Sequence, residues 1–205
     1  KASLPYLLFK KKTYVARVFE DPDAPPKLDI KGLKPVRRDC CNWVAATLQA
    51  TLNALIMERS VDKARGVVHG ELRRLVEGRV SLRELELSKR LSGSYASENL
   101  PQLTVVRKME SRNPGSAPKS GDRVAYVIVE TGVRGHKVFE KAEDVAFVAD
   151  PTNKVKVDRM HYLLHEMCNP VVQLFSPFDA NPRQMLEGAR LEIERQQQCQ
   201  GTLVE

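Results

Sequence analysis

Lys10, Lys11 and Lys12 stand in succession just ahead of Tyr14, and the triplet Arg37-Arg38-Asp39 follows in the same basic stretch. Ammonium and guanidinium groups at this density suit the holding of phosphates. A cation set against a phosphodiester releases condensed counterions, and that release dominates affinity for nucleic acid. Residues 1–38 carry ten Lys or Arg against four Asp or Glu, a local balance of +6. Residues 142–205 carry six against ten, a balance of −4. Such a gradient turns one end of a molecule toward a polyanion.

Other chemistries leave weaker signals. His161 and His165 are four apart and followed by Glu166, a spacing that puts two metal ligands on one helix face. The order is not that of an inverted zinc motif, no third ligand is assigned, and ordinary helix-surface histidines are the favoured reading. No phosphate-cradling Gly-x-x-x-x-Gly-Lys loop, no Gly-x-Gly-x-x-Gly and no Gly-x-Ser-x-Gly elbow occurs. Asp21-Pro22-Asp23 reads as a proline-stiffened turn, so no local motif supplies a two-metal phosphoryl-transfer centre.

The bulk numbers fit an ordinary globular chain of 205 residues, 42% hydrophobic and 29% charged, with net charge +7. No apolar run approaches the roughly 20 residues of a membrane helix. The apolar stretch before the lysines is too short for a secretory signal, and a chain that begins with Lys is expected to be a piece of a longer one. Four cysteines without a Cys-x-x-Cys pair argue against a zinc ribbon and against a disulfide framework, leaving reduced, intracellular thiols as the expectation.

The elements that must position the cations follow from periodicity. Leu4 to Phe19 reads as a hairpin with Lys10–Lys12 near its bend, and Lys27–Ile30 as a short strand closed by Lys31-Gly32. Residues 36–58 carry apolar side chains at three- and four-residue spacing without an internal Gly, and predict a helix. A second helix is predicted over 61–76, although Gly66 and Gly70 each cost about 1 kcal/mol there. Residues 82–91 fit a short strand or helix; 93–99 is loop. Further helices are predicted near 103–112, 158–174 and 182–197, and 123–130 is the clearest strand. The class is α+β, a short β-rich start leading into a mostly helical module, with a boundary near 60–80.

Four blocks in this order resemble the C-terminal part of family B replicative DNA polymerases, above all the polymerase delta type and its relatives in large DNA viruses. They are Tyr6 to Tyr14, similar to Tyr-Leu-Leu-Ile-x-Lys-Lys-x-Tyr; Lys31 to Asp39, similar to Lys-Gly-x-x-x-Val-Arg-Arg-Asp; Leu87-Ser88-Lys89-Arg90-Leu91, at a Thr-Lys-x-Leu element; and Pro114 to Ile128, similar to a loop with Gly-Asp-Arg-Val-Pro-Tyr-Val-Ile. Asp158 to Leu163 and Ser176-Pro177 echo Asp-x-x-Tyr-Tyr-Leu and Glu-Pro more weakly.

The resemblance implies the end of a palm (residues 1–70) and a thumb (71–205) that hold primer–template duplex. Lys11, Lys12 and Tyr14 would test the minor groove at the primer end, where acceptors look alike for every correct pair. Arg37 and Arg38, at a helix start, would hold phosphates, one of them also pairing with Asp39. Lys31 would face the duplex and Lys34 the solvent. Lys89 and Arg90 would contact duplex phosphates, Asp122 would form a structural ion pair, Arg123 would serve the scaffold or the DNA backbone, and Tyr126 would sit in the core. The implied parent uses Mg²⁺ held outside this segment, takes deoxynucleoside triphosphates through an upstream palm and fingers, works with a sliding clamp or other processivity factor, and needs no membrane. It would reside in the nucleus if cellular, or at an infected-cell replication site if viral.

Departures bear on this. Gln102 stands where relatives carry His, Ala125 replaces Pro, and Cys40-Cys41 replaces a more polar or Trp-Cys pair. The cysteine-rich metal sites that follow the thumb in the cellular delta enzymes are absent from this sequence, and so are the family's Asp-x-x-Ser-Leu-Tyr-Pro and Tyr-Gly-Asp-Thr-Asp-Ser motifs. This segment is therefore expected to bind DNA without polymerising nucleotides by itself. The competing readings are a stand-alone basic duplex-binding module and a metal hydrolase built on His161, His165 and Glu166.

Overall fold

The computed structural model describes residues 2–21, 24–33, 39–133 and 135–201, and the side chains of 2–5, 10 and 200 are left aside. Three strands open the chain: β1 (Ala2–Lys10), β2 (Thr13–Phe19) and β3 (Lys27–Lys31). They form one antiparallel sheet in the order β1-β2-β3. Alternation decides the two faces. Leu7, Phe9, Val15, Leu28 and Ile30 pack into the core, while Tyr6, Leu8 and Lys31 are exposed.

One helix packs on that sheet and a second packs on the first. In α1 (Asn42–Ile56) Trp43, Val44, Leu48, Leu52 and Ile56 are buried, joined by Thr47 and Thr51. Those hydroxyls donate to the carbonyls of Trp43 and Thr47, both at 2.7 Å, which satisfies them inside the apolar layer. The helix begins at Asn42, after an extended Cys41, so its N-terminus lies beyond the arginine pair rather than at it. This corrects the predicted start at 36; Arg37 and Arg38 lie outside the described residues. α2 (Val61–Val76) runs over the predicted span, with Ser60 accepting from the Lys63 amide as its cap. The Trp43 indole donates to Glu71 at 3.0 Å and ties the two helices together.

The helical remainder contains a second antiparallel sheet. After α3 (Leu82–Leu85), closed by a Ser81/Glu84 capping box, β4 (Leu87–Arg90) forms its edge. β5 (Arg123–Ile128) is central and β6 (Ala142–Asp144) completes the order β4-β5-β6. β6 and the following α5 (Val145–Ala149) are too short to show a period, and the sequence reading passed over both. α4 (Pro101–Arg112) is clamped to β6 by Arg112, whose guanidinium spans both carboxylate oxygens of buried Glu143 at 2.8 and 2.9 Å. Burial pushes the Glu143 carboxyl up, but Arg112, the Asp144 amide and Lys108 outweigh it and hold it below the usual carboxylate range.

The segment predicted as one helix over 158–174 comprises α6 (Arg159–His161), a π-helical turn (Tyr162–Met167) and α7 (Cys168–Phe175). Pro170 supplies a cause: it has no N–H for the Glu166 carbonyl, and its ring crowds that oxygen, so the preceding turn widens. α8 (Gln184–Gly201) packs along α2 and closes the chain. The main apolar core runs from Val15 through Leu48, Tyr126 and Phe175 to Ile193, and a smaller cluster gathers Val127, Val129 and Val148. The class is α+β, with a small sheet region first and a largely helical region after it. The boundary expected at residue 70 falls within α2. No disulfide joins the described cysteines. No helix among the described residues is long and apolar enough to cross a membrane.

Candidate nucleic-acid interface

The bend between β1 and β2 exposes Lys11 and Lys12. Lys12 has φ 63, a left-handed conformation that costs a side-chain-bearing residue about 1 kcal/mol. The neighbouring turn braces it. Gly32, at φ +69, lies so close that a Cβ there would stand 2.5 Å from the Lys12 carbonyl oxygen and 2.8 Å from Thr13 Oγ1. Only glycine admits this approach, and it brings Lys31 beside the lysine bend.

Tyr14 sits between these cations. Its hydroxyl donates to Asp29 at 3.0 Å, its ring stacks on Tyr6 with centroids 5.1 Å apart, and the Lys31 ammonium lies 5.7 Å from its centroid. The Tyr14 hydroxyl, then the Asp29 carboxylate, hold the Lys31 pKa above its ordinary value. Leu8, Tyr14 and Lys31 are partners in one cross-strand row. Leu8 is 63% exposed and Tyr6 48%. Aromatic and apolar groups beside lysines suit sugar and base faces. Sequence reasoning missed Tyr6 and Leu8, although their spacing of two, matched to Tyr14 across the hairpin, was the available signal.

Gly32 also lines a cleft of about 440 Å³. Its other walls include Asp39, Lys89 of β4, Tyr126 of β5, and His161, His165, Glu166 and Asn169 from the widened helix. The edge of the second sheet therefore opens onto the same groove as the turn that braces Lys12. Tyr126 is buried as expected of a core residue, and burial first, then the nearby Glu166 and Asp39, push its hydroxyl up to about 12. The Tyr162 hydroxyl accepts the Ile128 amide at 3.1 Å and pins the helix to β5.

Lys89 and Arg90 do not form one track. Adjacent strand residues point to opposite faces, so with Lys89 in the cleft Arg90 lies on the other side, paired in register with Arg123. Arg90 Nε donates to the Gly121 carbonyl at 2.9 Å. Arg123 donates from Nε to Ser88 Oγ at 2.9 Å and from Nη2 to the Ser88 carbonyl at 2.8 Å, which is scaffold work. The ion pair expected of Asp122 is not formed among the described residues; its carboxylate accepts the Lys119 amide at 2.9 Å. Gln102 is 5% exposed, with its amide oxygen unpartnered.

The histidines do not assemble a metal centre. His161 and His165 stack at 4.9 Å, and Glu166 approaches His161 Nε2 only to 4.0 Å, beyond hydrogen-bond reach. Among the described residues, no group of three or more His, Cys, Asp or Glu side chains is placed to hold a metal ion. The metal-hydrolase reading loses its site, and these residues do not fit the Mg²⁺ that the resemblance implies for a parent enzyme.

Comparisons with known proteins converge. DNA polymerase delta catalytic subunits are similar to this chain: that of Candida albicans is 35% identical over 191 residues, covering 92% of this chain and 18% of that protein. That of Caenorhabditis elegans is 34% identical over 197 residues, 94% of this chain and 18% of the relative. The chain thus spans less than a fifth of the length of these relatives. The structure of the family B DNA polymerase from the hyperthermophilic archaeon Pyrobaculum calidifontis shares the fold, with TM-score 0.63 and 22% identity over 85% of this chain and 22% of that one. Matched over residues 2–178 by the model of DNA polymerase family B, the chain belongs to that family.

Proposed function

We propose that this chain is the palm end and thumb of a DNA-directed DNA polymerase, residues 1–70 closing the palm and 71–205 forming the thumb, and that it grips primer–template duplex behind the site of synthesis. The observation that carries the reading is the shared groove: Gly32 holds the Lys12 turn against Lys31, and the cleft it lines is entered by Lys89 from the second sheet. In this reading Lys12 and Lys31, beside Gly32 at the rim, and Lys89, inside the cleft, meet successive parts of one elongated polyanion. The similarity to polymerase delta catalytic subunits supports the same reading.

The chemistry of the grip is sequence-independent. Lys11 and Lys12 reach minor-groove acceptors that every correct pair presents, so they report pairing rather than base identity. Lys31, Lys89 and the Arg37–Arg38 pair neutralise phosphates, and Arg90 with Arg123 offers a second cationic face. Nucleotide addition belongs to upstream palm and fingers segments that bind Mg²⁺ and the deoxynucleoside triphosphate, with a sliding clamp as an added partner. The test is affinity for blunt duplex against single strand of equal length as salt rises. The reading expects duplex preference and a steep linear fall of log K with log salt. Equal affinity for both, or no salt dependence, overturns it.

A further inference from the structure

Three of the chain's four histidines gather around one helix turn. His161 and His165 line the cleft that Lys89 enters, and the same pair, with His136, lines an adjoining hollow of about 320 Å³. The pair is a built feature. His161 is 8% exposed, and its ring lies 26° from parallel with that of His165, which is exposed. Burial, then the neighbouring His165, lowers the His161 pKa to about 4, so the inner ring of the stack is neutral near pH 7.

The charges facing the pair come from several elements. On the cleft side these are Lys89 of β4, Asp39 ahead of α1, and Glu166 of the same helix turn, with Tyr126 of β5 as a neutral neighbour. On the other side are His136, Lys141 and Asp158, the last two joined at 3.0 Å. Asp39 and Glu166 are each engaged with other groups. In the cleft one lysine therefore stands among two carboxylates and two imidazoles.

We propose that His165 is a further DNA-contacting residue, meeting the sugar-phosphate backbone beside Lys89 and tightening the grip as it takes up a proton. The proposal rests on the duplex-gripping reading above. The protonated imidazole donates a charge-assisted hydrogen bond that the neutral ring makes only weakly. Duplex affinity then rises as pH falls through the histidine range, at constant ionic strength.

The experiment is a duplex-binding titration by fluorescence anisotropy with the full 205-residue chain, at fixed salt, from pH 8 to pH 6. Wild type is expected to tighten about 5-fold over that range, in line with one added phosphate contact. His165→Gln, which can still donate a hydrogen bond but cannot titrate there, is expected to lose most of that gain and to weaken binding about 2-fold at pH 8. Thermal melts at both pH values check folding, and His165→Asn carries the test if the Gln variant melts early. A full gain retained in these variants, or no gain in wild type, overturns the proposal while leaving duplex binding intact. Absence of duplex binding at every pH and salt overturns the duplex reading itself.

Discussion

At the scale of single residues, His161 shows what burial does to a titratable group. Its pKa falls from 6.5 to about 4, because desolvation disfavours the imidazolium more than Glu166 and Asp158 favour it. The unfolded chain binds this proton near pH 6.5 and the folded chain does not, so the contribution to stability is present above that value and drains away as pH falls toward 4. The loss between pH 7 and pH 5 is about 2 kcal/mol. His161→Tyr, the residue at this position in the Asp-x-x-Tyr-Tyr-Leu pattern, is expected to flatten that dependence, as measured by urea unfolding across the range. Parallel pH curves for the two proteins would rule it out.

At the scale of elements, the site depends on two turns fitting together more than on any strand. Gly32→Ala places a Cβ against the Lys12 carbonyl and asks Ala to hold φ +69. The expected cost is about 2 kcal/mol or more, a sum of backbone strain and local displacement. The lysine bend should also be displaced, so duplex affinity should fall further than global stability explains. Chemical denaturation and binding measured on the same preparation separate the two effects, and a stable variant with unchanged affinity would show that the brace is irrelevant. The sequence made Lys31-Gly32 visible as a strand stop, through the glycine. That the glycine also receives the Lys12 carbonyl was beyond local pattern, since the contact joins residues twenty positions apart.

The same division between local and long-range signals explains what else was legible. The helix over Val61–Val76 was legible, despite Gly66 and Gly70, because its buried positions recur at helical spacing; its Ser60 cap went unread. β4 was ambiguous because four residues cannot show a period, and its role as a sheet edge depends on β5 from beyond residue 120. The π-helical turn was hidden in a regular apolar pattern, with Pro170 as its overlooked sign. Among the site residues, lysine density marked Lys11 and Lys12, whereas Lys31 was marked by the resemblance of the block Lys31 to Asp39. Period-two alternation parts Lys89 from Arg90, which the resemblance implies only as two phosphate contacts.

At the scale of the molecule, the charge gradient gains a geometry. Gly32, in the turn after β3, and Lys89, on the edge strand of the β4–β6 sheet, line one groove, floored by the helix turn that carries the histidines. A continuous apolar core lies beneath both sheets and fixes the spacing of the backbone positions that carry the cations. Rigid spacing matters because a duplex offers phosphates at fixed intervals, and contacts that are set in advance add without an ordering cost.

The most direct test is the salt dependence of duplex binding by wild type, Lys12→Ala, Lys31→Ala and Lys89→Ala. Each lysine that meets a phosphate should lower the slope of log K against log salt by about 0.9 when removed, and weaken binding alike on unrelated sequences. The account predicts a reduced slope for Lys31→Ala, beside the Gly32 turn, and for Lys89→Ala, in the cleft. It predicts weaker binding for Lys12→Ala with a smaller change in slope, because that lysine reaches base edges. Slopes for Lys31→Ala and Lys89→Ala indistinguishable from wild type would contradict the claim that one groove clasps one duplex.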